Sequence, residues 1–368
     1  MRMKLNVMRA ARFFGLALAL AALGTAAAPG QPDSAPGAAT AAMSGAGPSG
    51  PGEVYEGWAL AYGTRTAVVL DYERVDAGRG VREAIERKAD FGASELPLRG
   101  IELERSGLAQ FPTYVSALVP VVNLPSVQPG ALRLTGPLLA EILLGRVKKW
   151  NDDAIEALNP ALALPDLDIQ VVYRADEAAH TQVLTRYLSK VSETWAKQGG
   201  SGLAVQWRAG VGVKNAESMI SEVKRLSGAI GYLELNQAAA AKLATVQLQN
   251  VFGRFVAPEP ATLLAAADAL DWQLIFAARG SFDIDLTDMP GLRVWPLAFA
   301  SYVVLPRVQE RSERGRMTMT FFDWSLGEEG DKIAEKLGYV GLPARGKQYV
   351  RASLRRTFTD AGGDPLLR

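Results

Sequence analysis

"LDIQVVYRADEAAHTQVLTRYL", Leu167 to Leu188, carries a strand, a turn and a helix in succession. The β-branched run through Val171 and Val172 reads as a strand, and Leu184, Tyr187, Leu188 and Val191 recur beyond it at helical spacing. Arg174, Ala175 and Asp176 therefore fall where the chain leaves a sheet, with a helix starting near Ala178. Unpaired backbone N–H groups at such a start favour negative charge. Asp176 suits two tasks there, capping the helix and orienting Arg174 through a charge-assisted hydrogen bond.

The same alternation runs along the chain. "TAVVLDYERV" reads as a strand, "GVREAIERK" as a short charged helix, and "DFGASELPL" as a strand ending in a polar turn. "SALVPVVNLP" reads as a strand interrupted by Pro120, and Pro137 opens the helix "PLLAEILLG", which Gly145 ends. "AIGYLEL" and "ASYVVLP" are further strands, and one long amphipathic segment is expected from about Phe321 to Leu337. Strands alternating with helices imply an α/β architecture with largely parallel sheets and ligands at the carboxyl ends of the strands.

At 368 residues and 48% hydrophobic, the chain can bury a large core and has room for two domains. Basic residues, an apolar run from Phe13 to Leu23 and then small residues give residues 1–28 the layout of a cleavable secretory signal. The Pro/Ala/Gly-rich residues 29–43 read as a flexible leader, which starts the folded part near Ser44 with the glycine-rich loop "SGAGPSGPG". There is no cysteine, so no disulfide or thiolate metal site is available. Without the signal's Arg2, Lys4, Arg9 and Arg12 the chain keeps 36 basic against 39 acidic residues, which gives no general attraction to nucleic acid or to an anionic membrane.

"DFGASELPL" adds a second candidate site feature, because Glu95 at a strand terminus can accept a hydrogen bond from a protonated ligand oxygen or pair with a nearby cation. Together with "LTGPLLAEILLGRVKKWNDDAIEALNPALALPDLDIQVVYRAD", "LSGAIGYLEL", "FFDWSLGEEG" and "FTDAGGDPLL", it resembles the periplasmic phosphate-binding proteins of phosphate-specific ABC importers, from Ser44 to Arg368. The resemblance implies a two-lobed periplasmic binding protein of type II, its α/β lobes joined by two crossover strands that act as a hinge, and a ligand clamped between them. Lobe one would be residues 44–117 and 298–368, and lobe two residues 118–297, with "YVSALVP" and "WPLAFASYVV" as hinge strands.

The implied pocket departs from the family pattern residue by residue. The family's R-A-D-G-S-G-T-S reads here Arg174, Ala175, Asp176, Glu177, Ala178, Ala179, His180, Thr181, which keeps the oriented arginine and loses two hydroxyls. Its G-A-T-F-P reads Gly47, Pro48, Ser49, Gly50, Pro51, leaving Ser49 as the hydroxyl and Gly50 where an aromatic stood. Its G-S-S-G-G reads Asp76, Ala77, Gly78, Arg79, Gly80, and its proton-sensing aspartate becomes Glu95. Each lost charge-assisted hydrogen bond weakens anion binding by roughly 1.5–3 kcal/mol.

The expected ligand set is therefore Ser49, Gly50, Glu95, Arg174, Asp176, Ala179 and His180, around phosphate or a related oxyanion. His180 at a helix N-terminus is expected to be neutral near pH 7 and to replace a lost hydroxyl as donor. The alternative is a diverged paralogue that holds another small molecule, or that serves as a sensor or interaction protein. No cofactor is expected, and no metal, since one histidine and no cysteine leave only carboxylates as further ligands. Ser94, His180 and Asp176 lack a nucleophile elbow, so a binding protein rather than an enzyme is expected. An inner-membrane ABC permease would be the partner, nucleic acid would not, and the location would be the periplasm.

Overall fold

The computed structural model describes residues 41–125, 127–277 and 281–367; the expected signal and most of the leader lie outside them. Eight strands form the main path of a ten-stranded mixed sheet: β1 (Ala41–Gly47), β2 (Val68–Arg74), β3 (Phe91–Ser94), β4 (Leu108–Asn123), β5 (Gln170–Arg174), β6 (Val211–Val213), β7 (Ala229–Glu234) and β8 (Ala298–Pro306). Their order is β2-β1-β3-β8-β4-β7-β5-β6. The outer pairs β1/β2, β1/β3, β5/β7 and β5/β6 are parallel, as the strand–helix alternation requires. The middle of the sheet is antiparallel, because β8 returns from late in the chain to lie between β3 and β4.

β4 is the longest strand, sixteen residues, and all but its last residue are buried. Such a run is apolar almost throughout because both faces are covered. It pairs with β8 along one edge and with β7 over Leu118–Asn123 along the other, so it belongs to both halves of a two-lobed type II binding-protein fold. β4 is thus a crossover strand, and β8 lies beside it, paired with β3 and with residues 108–117 of β4.

Three expectations are corrected here. Pro120 does not interrupt β4: its carbonyl accepts from Val246 at 3.3 Å, and its missing N–H faces the same side, which is paired only by the two-residue strand Ala244–Thr245. The chain is already in β1 at Ala41, and helix α1 (Ser49–Thr66) starts at Ser49, so the stretch read as leader end and glycine-rich loop is a strand followed by a helix N-terminus. The long segment near the C-terminus is two helices, Ser312–Ser325 and Glu328–Lys336, separated at Leu326 and Gly327.

The first half packs an aromatic cluster under α1, with Tyr55 and Phe91 centroids 5.7 Å apart and Phe91 and Phe322 5.0 Å apart. Such edge-to-face contacts add to the burial of large apolar area. In the second half, helix α3 (Ala179–Val191) buries Leu184, Tyr187 and Leu188, the face that its periodicity predicts. Helix α2 (Ala77–Ile85) rides directly on the sheet: a Cβ on Gly80 would lie 2.5 Å from the Ala46 carbonyl oxygen, and one on Gly92 would lie 2.5 Å from the Gly80 carbonyl oxygen. Both obstacles are backbone and cannot step aside. Gly92→Ala is therefore expected to cost about 1–3 kcal/mol, read as a lower urea midpoint; an unchanged midpoint would contradict this packing.

Candidate functional site

A cleft of about 630 Å³ lies between the two halves, and all seven residues expected to bind ligand line it. The first turns of α1 and α3 open onto it, and neither helix has a side-chain cap. Their orphan N–H groups therefore face the cavity at Ser49 and Gly50 from one side and at Ala179 and His180 from the other. α2 differs, because Asp76 caps it by accepting from the Arg79 N–H at 2.9 Å. That carboxylate removes α2 as an anion site, which is the structural consequence of the altered G-S-S-G-G stretch.

Arg174 ends β5 and lies largely buried at the cavity wall. Its Nε and Nη2 donate to the two carboxylate oxygens of Asp176 at 2.7 and 2.5 Å, a bidentate pair that fixes the guanidinium plane. Asp176 thus orients the arginine, while Ala178 occupies the N-cap of α3. The Arg174 backbone N–H donates to the Tyr232 hydroxyl at 3.0 Å, which also bonds Thr181 at 2.8 Å, tying β5, β7 and α3 together under the site.

The feature that local sequence does not show is the pair of carboxylates beside His180. Its Nε2 lies 3.2 Å from Glu234 Oε1 and 3.7 Å from Glu95 Oε1, and all three residues are buried, 8%, 2% and 8% exposed. Burial favours the neutral ring, yet the charge of Glu95 and the contact with Glu234 outweigh it and hold the imidazole above its ordinary value of 6.5. The helix terminus, about half a unit of charge, disfavours a proton on the ring, and the two carboxylates that face it act in the opposite direction. Its edge packs on Phe299, ring centroids 5.4 Å apart.

Glu95 follows β3 and is pushed up to about 7, first by desolvation and then by Glu234, with His180 opposing. Glu234 closes β7 and accepts from Ser116 Oγ at 3.0 Å. It was absent from the expected set, although "AIGYLEL" puts a carboxylate at a strand terminus just as "DFGASELPL" does for Glu95. The same criterion, applied to every strand end, finds it. Gly50 fits this cluster, because a Cβ there would sit 3.2 Å from both Glu95 Oε1 and Glu234 Oε1. Ser94 is engaged elsewhere, its Oγ donating to the Leu96 carbonyl at 2.7 Å.

Both Glu95 and His180 bind their protons more tightly in the fold than in the unfolded chain. Their contribution to stability is thus whole at low pH and lost as pH rises, for Glu95 between 4.5 and about 7 and for His180 from 6.5 upward. Urea unfolding of metal-free protein is expected to show stability falling from pH 5 to pH 8, and Glu95→Gln to flatten the part below pH 7. A profile that rises over this interval would contradict the assignment.

The description PBP superfamily domain matches residues 33–329. The chain is 39% identical over 310 residues to the phosphate-binding protein PstS of Xylella fastidiosa strain Temecula1, covering 84% of each. It is 39% identical over 302 residues to PstS of Haemophilus influenzae, covering 82% of this chain and 89% of that one. The solved structure of a high affinity periplasmic phosphate-binding protein, PfluDING, bound with phosphate at pH 8.5, shares the fold with a TM-score of 0.65 at 18% identity, covering 84% of this chain and 93% of that one. The crossover strand, the inter-lobe cleft and this extent of likeness lead to one conclusion: the chain belongs to the PBP superfamily and, within it, to the PstS phosphate-binding proteins.

Proposed function

We propose that this chain is the solute-binding component of an ABC importer, acting in the periplasm and holding phosphate or a related oxyanion between its lobes. The observation that carries this reading is the Arg174–Asp176 pair beside the uncapped N-terminus of α3. A guanidinium with two donors committed to Asp176 keeps its remaining donors for a ligand in fixed directions. Ser49 and the first N–H groups of α1 face the same cavity from the other lobe, so one small anion can be gripped from both sides.

The acids of the site shape that grip. Protons taken up by the coupled Glu95 and His180 lessen the negative charge of the cluster beside Arg174. Protonation of these two groups thus opens the cavity to an oxyanion. The proposed partner is the membrane permease of the importer, reached by the two lobes once they have closed on solute.

Calorimetric titration of metal-free protein with phosphate tests this reading. Binding is expected at pH 6 and should weaken at pH 8.5, and Arg174→Ala should weaken it at least about tenfold, the size of one lost charged hydrogen bond. No heat with phosphate at pH 6, or unchanged affinity in Arg174→Ala, would overturn it.

A further inference from the structure

Glu95, His180 and Glu234 reach one space from three separate parts of the fold, the ends of β3 and β7 and the first turn of α3. One ligand atom from each lies within 4.8 Å of the other two. His180 Nε2 is buried and makes no well-formed hydrogen bond, although Glu234 Oε1 is 3.2 Å away. A buried nitrogen close to two carboxylates, with its lone pair or proton unmatched, is an arrangement that a metal ion completes.

The surroundings favour a cation. Asp76, Glu95, Asp176, Glu177, Glu217 and Glu234 line the cleft, against Arg82, Arg174 and His180. Such an excess of acid in a walled cavity concentrates positive ions. The carboxylate of Glu234 is positioned from behind by Ser116, and the His180 ring by Phe299, as metal ligands commonly are by their neighbours. Gly50 leaves the front of the triad without a side chain.

We propose that Glu95, His180 and Glu234 form a binding site for a divalent transition-metal ion whose open side faces the inter-lobe cavity. One imidazole and two carboxylates suit Zn²⁺ and its first-row neighbours, whereas Ca²⁺ and Mg²⁺ favour all-oxygen sets. The open side leaves room for water or for an oxyanion. The expectation of no metal counted one histidine and no cysteine and did not include Glu234. This site stands whether or not phosphate alone binds at Arg174.

With one histidine and no cysteine in the chain, nitrogen ligation is simple to read. Tag-free protein, cleared of metal, is titrated with Co²⁺ and followed by visible absorption, and with Zn²⁺ and followed by the ¹⁵N and ¹H resonances of its single imidazole. One equivalent of Co²⁺ should produce a d–d band, Zn²⁺ should shift the imidazole resonances, and His180→Ala and Glu234→Gln should each weaken Co²⁺ binding at least about tenfold. Circular dichroism checks that both variants fold. Imidazole resonances unmoved at saturating Zn²⁺ would overturn the proposal in the wild-type protein alone, as would Co²⁺ affinity in a folded Glu234→Gln equal to that of the wild type.

Discussion

The antiparallel ladder between β4 and β8 is the constraint from which the rest follows. It runs from the Leu108–Pro306 pair to the Ala117–Ala298 pair, with one irregularity at Ser301 and Tyr302. Residues opposite each other on such a ladder share a face. Phe299 and Ser116 are one such pair, and Phe299 supports the His180 ring while Ser116 bonds Glu234. The crossover strand and its partner therefore also set the geometry of the acid cluster. A register slip of one residue would put the two supports on opposite faces of the sheet.

The cleft combines two opposed electrostatic designs. Arg174 and two uncapped helix starts attract anions, while Glu95 and Glu234 with four further acids attract cations. Charges in a buried space interact more strongly than at a surface, so this balance turns on few protons. His180 is the pivot because it faces both carboxylates from the helix that also approaches Arg174. A proton on it favours an anionic guest; a divalent metal ion in its place would offset the charge of the two carboxylates by another route.

Much of this was legible in the sequence. The strand end at Arg174, the amphipathic face of α3 and the turn after β3 were readable because local pattern and tertiary role agree there. The motif likeness named the fold, which periodicity could restrict only to α/β. Pro120 misled because a proline signals a break only where its N–H is needed. Ser44–Gly52 misled because small residues resemble a linker, whereas here Gly45 admits the Phe91 ring, its nearest ring atom 2.3 Å from where a Cβ would stand. The helix start at His180 is legible locally, whereas its carboxylate neighbours are not: Glu234 lies 54 positions away, and no local pattern encodes that contact.

Diffraction from crystals grown with arsenate, read at the arsenic edge, would locate the guest by its anomalous signal without reference to any assumed contact. One peak is predicted between the Arg174 guanidinium and the first turns of α1 and α3. A cleft with no peak at saturating arsenate, or a peak elsewhere on the molecule, would contradict an oxyanion held between the lobes.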